Sequence, residues 1–253
     1  MNSFSVIGAG NLGANLIHAL DGSDFIFKYI YKRSKFARFS PHVENDLGKL
    51  IACSDIVVIS VRESQIGEVA RELALGHDLS GKVFFHTSNS LTSEELMPLK
   101  ERGGIIASFS PLQTFPDFAL DKKIFDGVYF LSEGDRIAVE AADRISGYLN
   151  AENLHVDAVT KIFFHIGAVI SSNFLNSLLR FADIQIKKGG GYDYRILLPL
   201  VRRTLANIEK KGLGDALTGP ARRNESKLIE NHLELLDGDG RELYLLLNKL
   251  ISD

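Results

Sequence analysis

Ser3-Phe4-Ser5-Val6-Ile7-Gly8-Ala9-Gly10-Asn11-Leu12-Gly13 is the stretch whose reading decides the fold. A short apolar run ends in glycine, and a helical pattern follows from Asn11 to Leu20. The glycines stand at the spacing G-x-G-x-x-G, which alone is a weak signal. Here the motif closes a strand and opens a helix, and each glycine then has a physical task. The first permits a tight turn, the second lets backbone approach a pyrophosphate, and the third lets helix and strand pack closely. N–H groups exposed at the helix start attract phosphate charge. A βα turn without a ligand is the alternative.

Working outward, strand and helix signals alternate. Phe25 to Tyr31 is rich in β-formers, and Asp55 to Val61 is nearly continuous in β-branched residues, as in a strand buried on both faces. Lys82 to His86 and Gly104 to Phe109 repeat the pattern, with helical segments between. Ser93 reads as an N-cap, with Glu94 and Glu95 in the first turn behind it. Gly127 to Leu131, a helix from about Asp135 to Leu149, and Leu154 to Val156 add a further unit. This order predicts an α/β fold with a doubly wound parallel sheet. After Asp157 only helical periodicity appears, over Lys161 to Ile186, Tyr194 to Lys211, Ala221 to Leu236 and Arg241 to Ile251. The reading is a dinucleotide-binding Rossmann domain over 1–157 and an all-helical domain over 158–253.

Bulk properties exclude some partners. The 253 residues are 45% apolar and 24% charged, with a formal charge of −3, so a generic polyanion is a poor match and no nucleic acid is expected. Cys53 is the only cysteine, which excludes an intrachain disulfide and fits a reducing cytoplasm. No Cys/His cluster has metal-ligand spacing, so no metal is expected. No signal peptide is read at the N-terminus. Ile162 to Phe181 is long enough to span a bilayer, but His165, Ser171, Ser172, Asn173, Asn176 and Ser177 would be costly there. The expectation is a buried helix of a soluble protein, with no membrane contact.

The second strand bears on the cofactor. An NAD site places an acid at its end to bind the ribose 2′-hydroxyl. This strand ends Tyr31-Lys32-Arg33-Ser34, and no acid occurs between Asp24 and Glu44. Lys32, Arg33 and Ser34 would instead attract a 2′-phosphate, which favours NADP(H). Gly8, Ala9, Gly10, Asn11, Leu12 and Gly13, with Val61 and Arg62, complete the expected cofactor contacts.

The glycine motif and the Tyr31 to Ser34 segment resemble the pyrroline-5-carboxylate reductase and 6-phosphogluconate dehydrogenase-like group. More specific are His86-Thr87-Ser88-Asn89-Ser90, Ser110-Pro111-Leu112-Gln113-Thr114-Phe115, Ser172-Asn173-Phe174-Leu175, Asn207, and Ala216-Leu217-Thr218-Gly219-Pro220-Ala221-Arg222-Arg223. Together they resemble Rossmann-like NADP oxidoreductases with a helical C-terminal domain of unknown function, some carrying a deazaflavin label. The resemblance spans nearly the whole chain. Asn89 replaces a usual glycine, and Ser110 stands where a histidine precedes Pro-Leu. It implies hydride transfer between NADPH and a small carbonyl or imine, and a homodimer formed through the helical domain.

The residues themselves supply candidates for the chemistry. Lys161, His165, Ser172 and Asn176 share a stripe of about 60° on the first C-terminal helix, with Asn173 at its margin, opposite Phe163, Ile166, Ile170, Phe174 and Leu178. Such a stripe faces a cleft or a dimer seam. His86 closes a strand at the carboxyl edge, where open α/β sheets bind ligands, with a structural histidine as the alternative. His86, His165, Ser172 and Asn173 are therefore the catalytic candidates, expected to face the nicotinamide between the domains. Ser88, Thr218, Gly219 and Arg222 are the substrate-binding candidates. A non-catalytic NADP(H) sensor and a deazaflavin-linked reductase are the alternative functions.

Overall fold

The computed structural model describes residues 2–8, 10–31, 42–119, 121–218 and 225–252. They divide into two compact units, Met1–Ser172 and Asn173–Asp253. All the described strands lie in the first: β1 (Ser3–Ile7), β2 (Ile26–Tyr31), β3 (Ile56–Ile59), β4 (Val83–His86), β5 (Ile105–Pro111), β6 (Tyr129–Gly134) and β7 (Glu152–His155). Its helices are α1 (Asn11–Leu20), α2 (Leu47–Ala52), α3 (Glu63–Ala74), α4 (Met97–Lys100), α5 (Arg136–Tyr148) and α6 (Ala158–Val169).

The strand order is β2-β1-β3-β4-β5-β6-β7. The chain winds outward from β1 to β2 and then restarts on the other side at β3. This is a doubly wound sheet with its switch point beside β1, where such sheets open a ligand crevice. The expected parallel pairing holds except between β5 and β6, which run antiparallel. A parallel return needs a crossover element, and the described part of 112–128 contains no helix, so the chain doubles back.

Two cores cover the two faces. Phe4, Val6, Ile56, Val58, Phe85 and Phe109 point to one, with α1 and α5 against them. Ile7, Val57, Ile59, Phe84 and Ile106 point to the other, with α2, α3 and α4. Strands buried on both faces need the unbroken apolar runs that the sequence carries. Ser93 is not the N-cap anticipated from its helical neighbours. Thr92 holds that position, before a short 3₁₀ turn (Ser93–Leu96), and the Ser93 hydroxyl donates instead to the buried Glu133 carboxylate at 2.9 Å.

A π turn (Ile170–Phe174) follows α6 and leads into α7 (Leu175–Gly190). The second unit continues through a 3₁₀ turn (Tyr194–Leu197), α8 (Leu198–Asp215), α9 (Ser226–Glu234) and α10 (Gly238–Ser252). Among its described apolar residues only Leu233 is buried, so the unit has almost no core of its own. The long apolar helix is likewise not buried as expected. Phe163 is 68% exposed, and Ile162, Ile166 and Ile170 also lie open. The orientation explains this: in the first unit the polar side of α6 turns inward, with Lys161 fully buried, and the apolar side turns out. The helix Ala158–Gly190 is long and apolar enough to cross a membrane by length and composition, with a mean hydropathy of 1.5 in its most apolar window.

Candidate functional site

The site begins at the glycine turn. Gly8 has φ +99°, and a Cβ there would stand 2.3 Å from the Ser60 carbonyl oxygen, so only glycine lets the end of β1 lie against β3. Gly13 brings α1 against the same place, its Cβ direction meeting the Gly8 carbonyl oxygen at 3.0 Å and Ser60 Cβ at 3.2 Å. Gly10 is the N-cap of α1 and supplies no side-chain cap, and a Cβ there would meet nothing within 4 Å. The first turn therefore carries no side-chain cap and has open space at Gly10, as a pyrophosphate site requires. Asn11 fixes the far wall by donating to the carbonyls of Phe115 (2.9 Å) and Pro116 (2.7 Å).

A cavity of about 930 Å³ lies along this carboxyl edge. Gly8, Gly10, Asn11, Leu12, Tyr31, Val61, Arg62, Ser88 and His165 line it, so many of the expected contacts share one space. That volume suits a nucleotide-sized ligand. Ala9, Lys32, Arg33, Ser34, Gly219 and Arg222 lie outside the described residues, and Thr218 is exposed in the second unit.

The wall beyond β3 and β4 is held by charged and polar side chains. Lys161 donates to the carbonyls of Ser88 (2.8 Å) and Leu91. Ser88 Oγ donates to the carboxylate of Glu63, in the first turn of α3, and Ser93 N–H donates to Glu133. His86, Ser108 and Glu133 stand in one row across β4, β5 and β6. Burial lowers Lys161 to about 8 against the pull of the Glu133 and Glu63 carboxylates. Burial pushes the Glu63 carboxyl up. Hydrogen bonds from Ser88 and Ser90 and the nearby His165 more than offset this, and leave it below the ordinary value.

The four catalytic candidates are not gathered into one place. His165 lines the cavity, one helical turn beyond Lys161. His86 is fully buried and does not line it. Its Nδ1 accepts from Ser88 N–H at 3.2 Å and its Nε2 donates to the Thr92 carbonyl at 2.9 Å, so both ring nitrogens are occupied. Burial, and then the Lys161 ammonium, lowers it to about 4, which keeps it neutral. The bonds are those of a structural histidine. Ser172 Oγ donates back to the Ala168 carbonyl at 2.6 Å, and Asn173 begins the second unit, both within the π turn. Glu63 was not foreseen as a site residue. Its signal was its position, directly after the third strand and at a helix start.

Both departures from the family pattern fall in this region. Asn89 Nδ2 donates to the Pro111 carbonyl at 2.9 Å, beside Ser110. Asn89 Oδ1 and Ser110 Oγ are buried and find no partner among the described residues.

Residues 128–251 match a family described as a domain of unknown function (DUF2520), a stretch running from β6 to α10. No curated protein matches the sequence. Among solved structures, the chain is similar to a Bacteroides fragilis protein provisionally assigned as an NADP oxidoreductase. Identity is 24% and the TM-score 0.80, over 99% of this chain and 98% of that one. It is similar to protein TM1727 of Thermotoga maritima at 25% identity and TM-score 0.73, over 98% and 96% of the two chains. Plasmodium falciparum pyrroline carboxylate reductase, solved with NADP bound, is similar at 14% identity and TM-score 0.64, over 100% and 98%.

Proposed function

We propose that the chain is an NADP(H)-dependent oxidoreductase acting on a small carbonyl or imine. The observation that carries this reading is the single cavity running from the uncapped glycine turn to His165. The Plasmodium reductase with NADP bound, similar in fold along its length, supports it. Gly8, Gly10 and the start of α1 would hold the pyrophosphate, and Val61 and Arg62 the adjoining nucleotide. When bound, NADPH would supply a hydride, both electrons of one C–H bond, to an electrophilic carbon. His165 would give a proton to the substrate's nitrogen or oxygen, a reading supported by its lining the cavity, which His86 does not. The Ser88 to Ser93 segment serves as a rigid floor, since Lys161, His86, Glu63 and Glu133 fix its polar groups.

Calorimetry should show NADPH binding at least about tenfold more tightly than NADH, since a charge-assisted contact to a phosphate is worth about 1.5–3 kcal/mol. Arg33→Ala should erase most of that preference. Equal wild-type affinities would remove the cofactor argument. A non-catalytic sensor is the second reading, favoured by the sealed His86 and the two departures at Asn89 and Ser110. NADPH oxidation against small imines, carbonyls and a deazaflavin separates the two: turnover supports an enzyme, binding without turnover a sensor.

The apolar face of α6 also supports a homodimer. Phe163 and Ile166, with Ile170 just beyond the helix, would each leave water. Light scattering at micromolar concentration should give about twice the chain mass of 28.0 kDa. A monomer under those conditions refutes the assembly.

A further inference from the structure

We infer that Glu63 is the residue that favours the oxidised nicotinamide, its carboxylate acting as counter-charge to the ring's positive nitrogen. The inference rests on the NADP(H) reading above. Glu63 sits where β3 gives way to α3, on the carboxyl edge, and lines the cavity together with Thr87, Ser88 and His165. A dinucleotide whose pyrophosphate lies over the glycine turn beside β1 extends its nicotinamide past β3 toward β4. That path brings the ring to the segment that Glu63 shares with Ser88.

The chemistry of the carboxylate fits a cation. It accepts from neutral donors, Ser88 Oγ and Ser90, and among the described residues no lysine, arginine or histidine forms an ion pair with it. Neutral donors stabilise the ionised form without cancelling its charge. The wall behind it does not cancel the charge either. Two carboxylates, Glu63 and Glu133, are set against one ammonium, Lys161, while His86 is neutral, and His165, which also draws Glu63 down, lines the cavity beside it. Arg62 also lines the cavity but makes no ion pair with Glu63. A bound nucleotide would cover the carboxylate and exclude water, which strengthens its field on the ring. Glu63 then steadies the charge that appears on the ring as the hydride leaves, and the reduced ring gains nothing from it.

The test uses NADP+ and NADPH as probes, by calorimetry on the full chain. Glu63→Gln keeps the shape and an acceptor for Ser88 but loses the charge, and should weaken NADP+ about tenfold relative to NADPH. Glu63→Asp, which keeps the charge, should hold the ratio within about threefold of the wild type and guards against a folding defect in the amide variant. Equal weakening of both nucleotides by Glu63→Gln would mean a ribose-hydroxyl contact and overturns the proposal. An unchanged ratio with unchanged affinities overturns it too. A wild type that binds neither nucleotide fails the NADP(H) reading itself, which separates that failure from the loss of this proposal alone.

Discussion

Gly8→Ala should destabilise the protein by roughly 3 kcal/mol or more, whereas Gly10→Ala, two residues on, should leave the fold within about 0.5 kcal/mol and lose nucleotide binding. The two glycines share one motif but meet different surroundings. At Gly8 the backbone is in the left-handed region at φ +99°, which an L side chain enters only with strain. The added methyl would also stand 2.3 Å from the Ser60 carbonyl oxygen and 2.7 Å from its carbon. These are backbone atoms of the chain leaving β3. They cannot rotate aside, so β1 and β3 would have to part where Ser60 N–H donates to the Ile7 carbonyl at 2.7 Å. At Gly10 φ is −69°, accessible to any residue, and the methyl points into open space. That space belongs to the cavity beside the uncapped first turn, so the methyl opposes a ligand and not the protein. Urea unfolding and NADPH calorimetry on both variants read the difference. A Gly8→Ala protein as stable as the wild type would rule out a left-handed Gly8 packed against Ser60. If Gly10→Ala binds NADPH normally, the pyrophosphate does not lie over it.

Much of the first unit was legible because its signals are local. The run from Asp55 to Val61 can hardly be anything but a strand buried on both faces, and β3 lies within it. The glycine spacing after Ile7 decided the turn, since each glycine answers a backbone contact within a few residues or on the adjacent strand. What failed was decided by distant partners. Ser93 has the composition of an N-cap, but its hydroxyl is claimed by Glu133, forty residues on and across the sheet. The antiparallel β6 goes with the absence of a crossover helix in the described part of 112–128, which apolar patterning does not reveal. The polar stripe holds on α6 for Lys161 and His165, but a π turn interrupts it and leaves Asn173 and Asn176 exposed, and its depth was not foreseen. Lys161 proved the most buried member, because the loop carbonyls of Ser88 and Leu91 offer it acceptors. Periodicity says which residues share a face; only the fold says what that face meets. Glu63 went unnoticed for the same reason, since its meaning comes from Ser88 on a different strand's loop.

Lowering the pH from about 7 to 4 should cost the wild type about 3 kcal/mol more stability than it costs a His86→Gln variant. His86 is lowered to about 4 by burial and then by the Lys161 ammonium, against an ordinary value of 6.5. The sign follows from which state takes the proton. Above 6.5 the histidine is neutral folded and unfolded, and contributes no pH dependence. Between 6.5 and 4 the unfolded chain binds a proton that the folded one refuses, so stability falls as the medium is acidified. Below 4 the loss is complete. Glutamine retains an acceptor for Ser88 N–H and a donor for the Thr92 carbonyl, but does not titrate. Subtracting its urea-derived stability at each pH removes the carboxylates, such as Asp55, whose own acid loss is centred lower because hydrogen bonds from Ser3 and Asn2 hold it at about 2. Parallel losses in the two proteins would show that His86 is neither sealed nor neutral. The same proton would reach the site. Imidazolium has no acceptor, so protonated Nδ1 would face the Ser88 N–H it now binds at 3.2 Å, donor against donor. Ser88 also donates to Glu63 and presents its carbonyl to Lys161, so acid release of that one contact loosens the floor beneath Glu63 and His165 together. NADPH affinity should therefore decline only as the pH nears 4, where the folded histidine takes up its proton, and do so less steeply in His86→Gln.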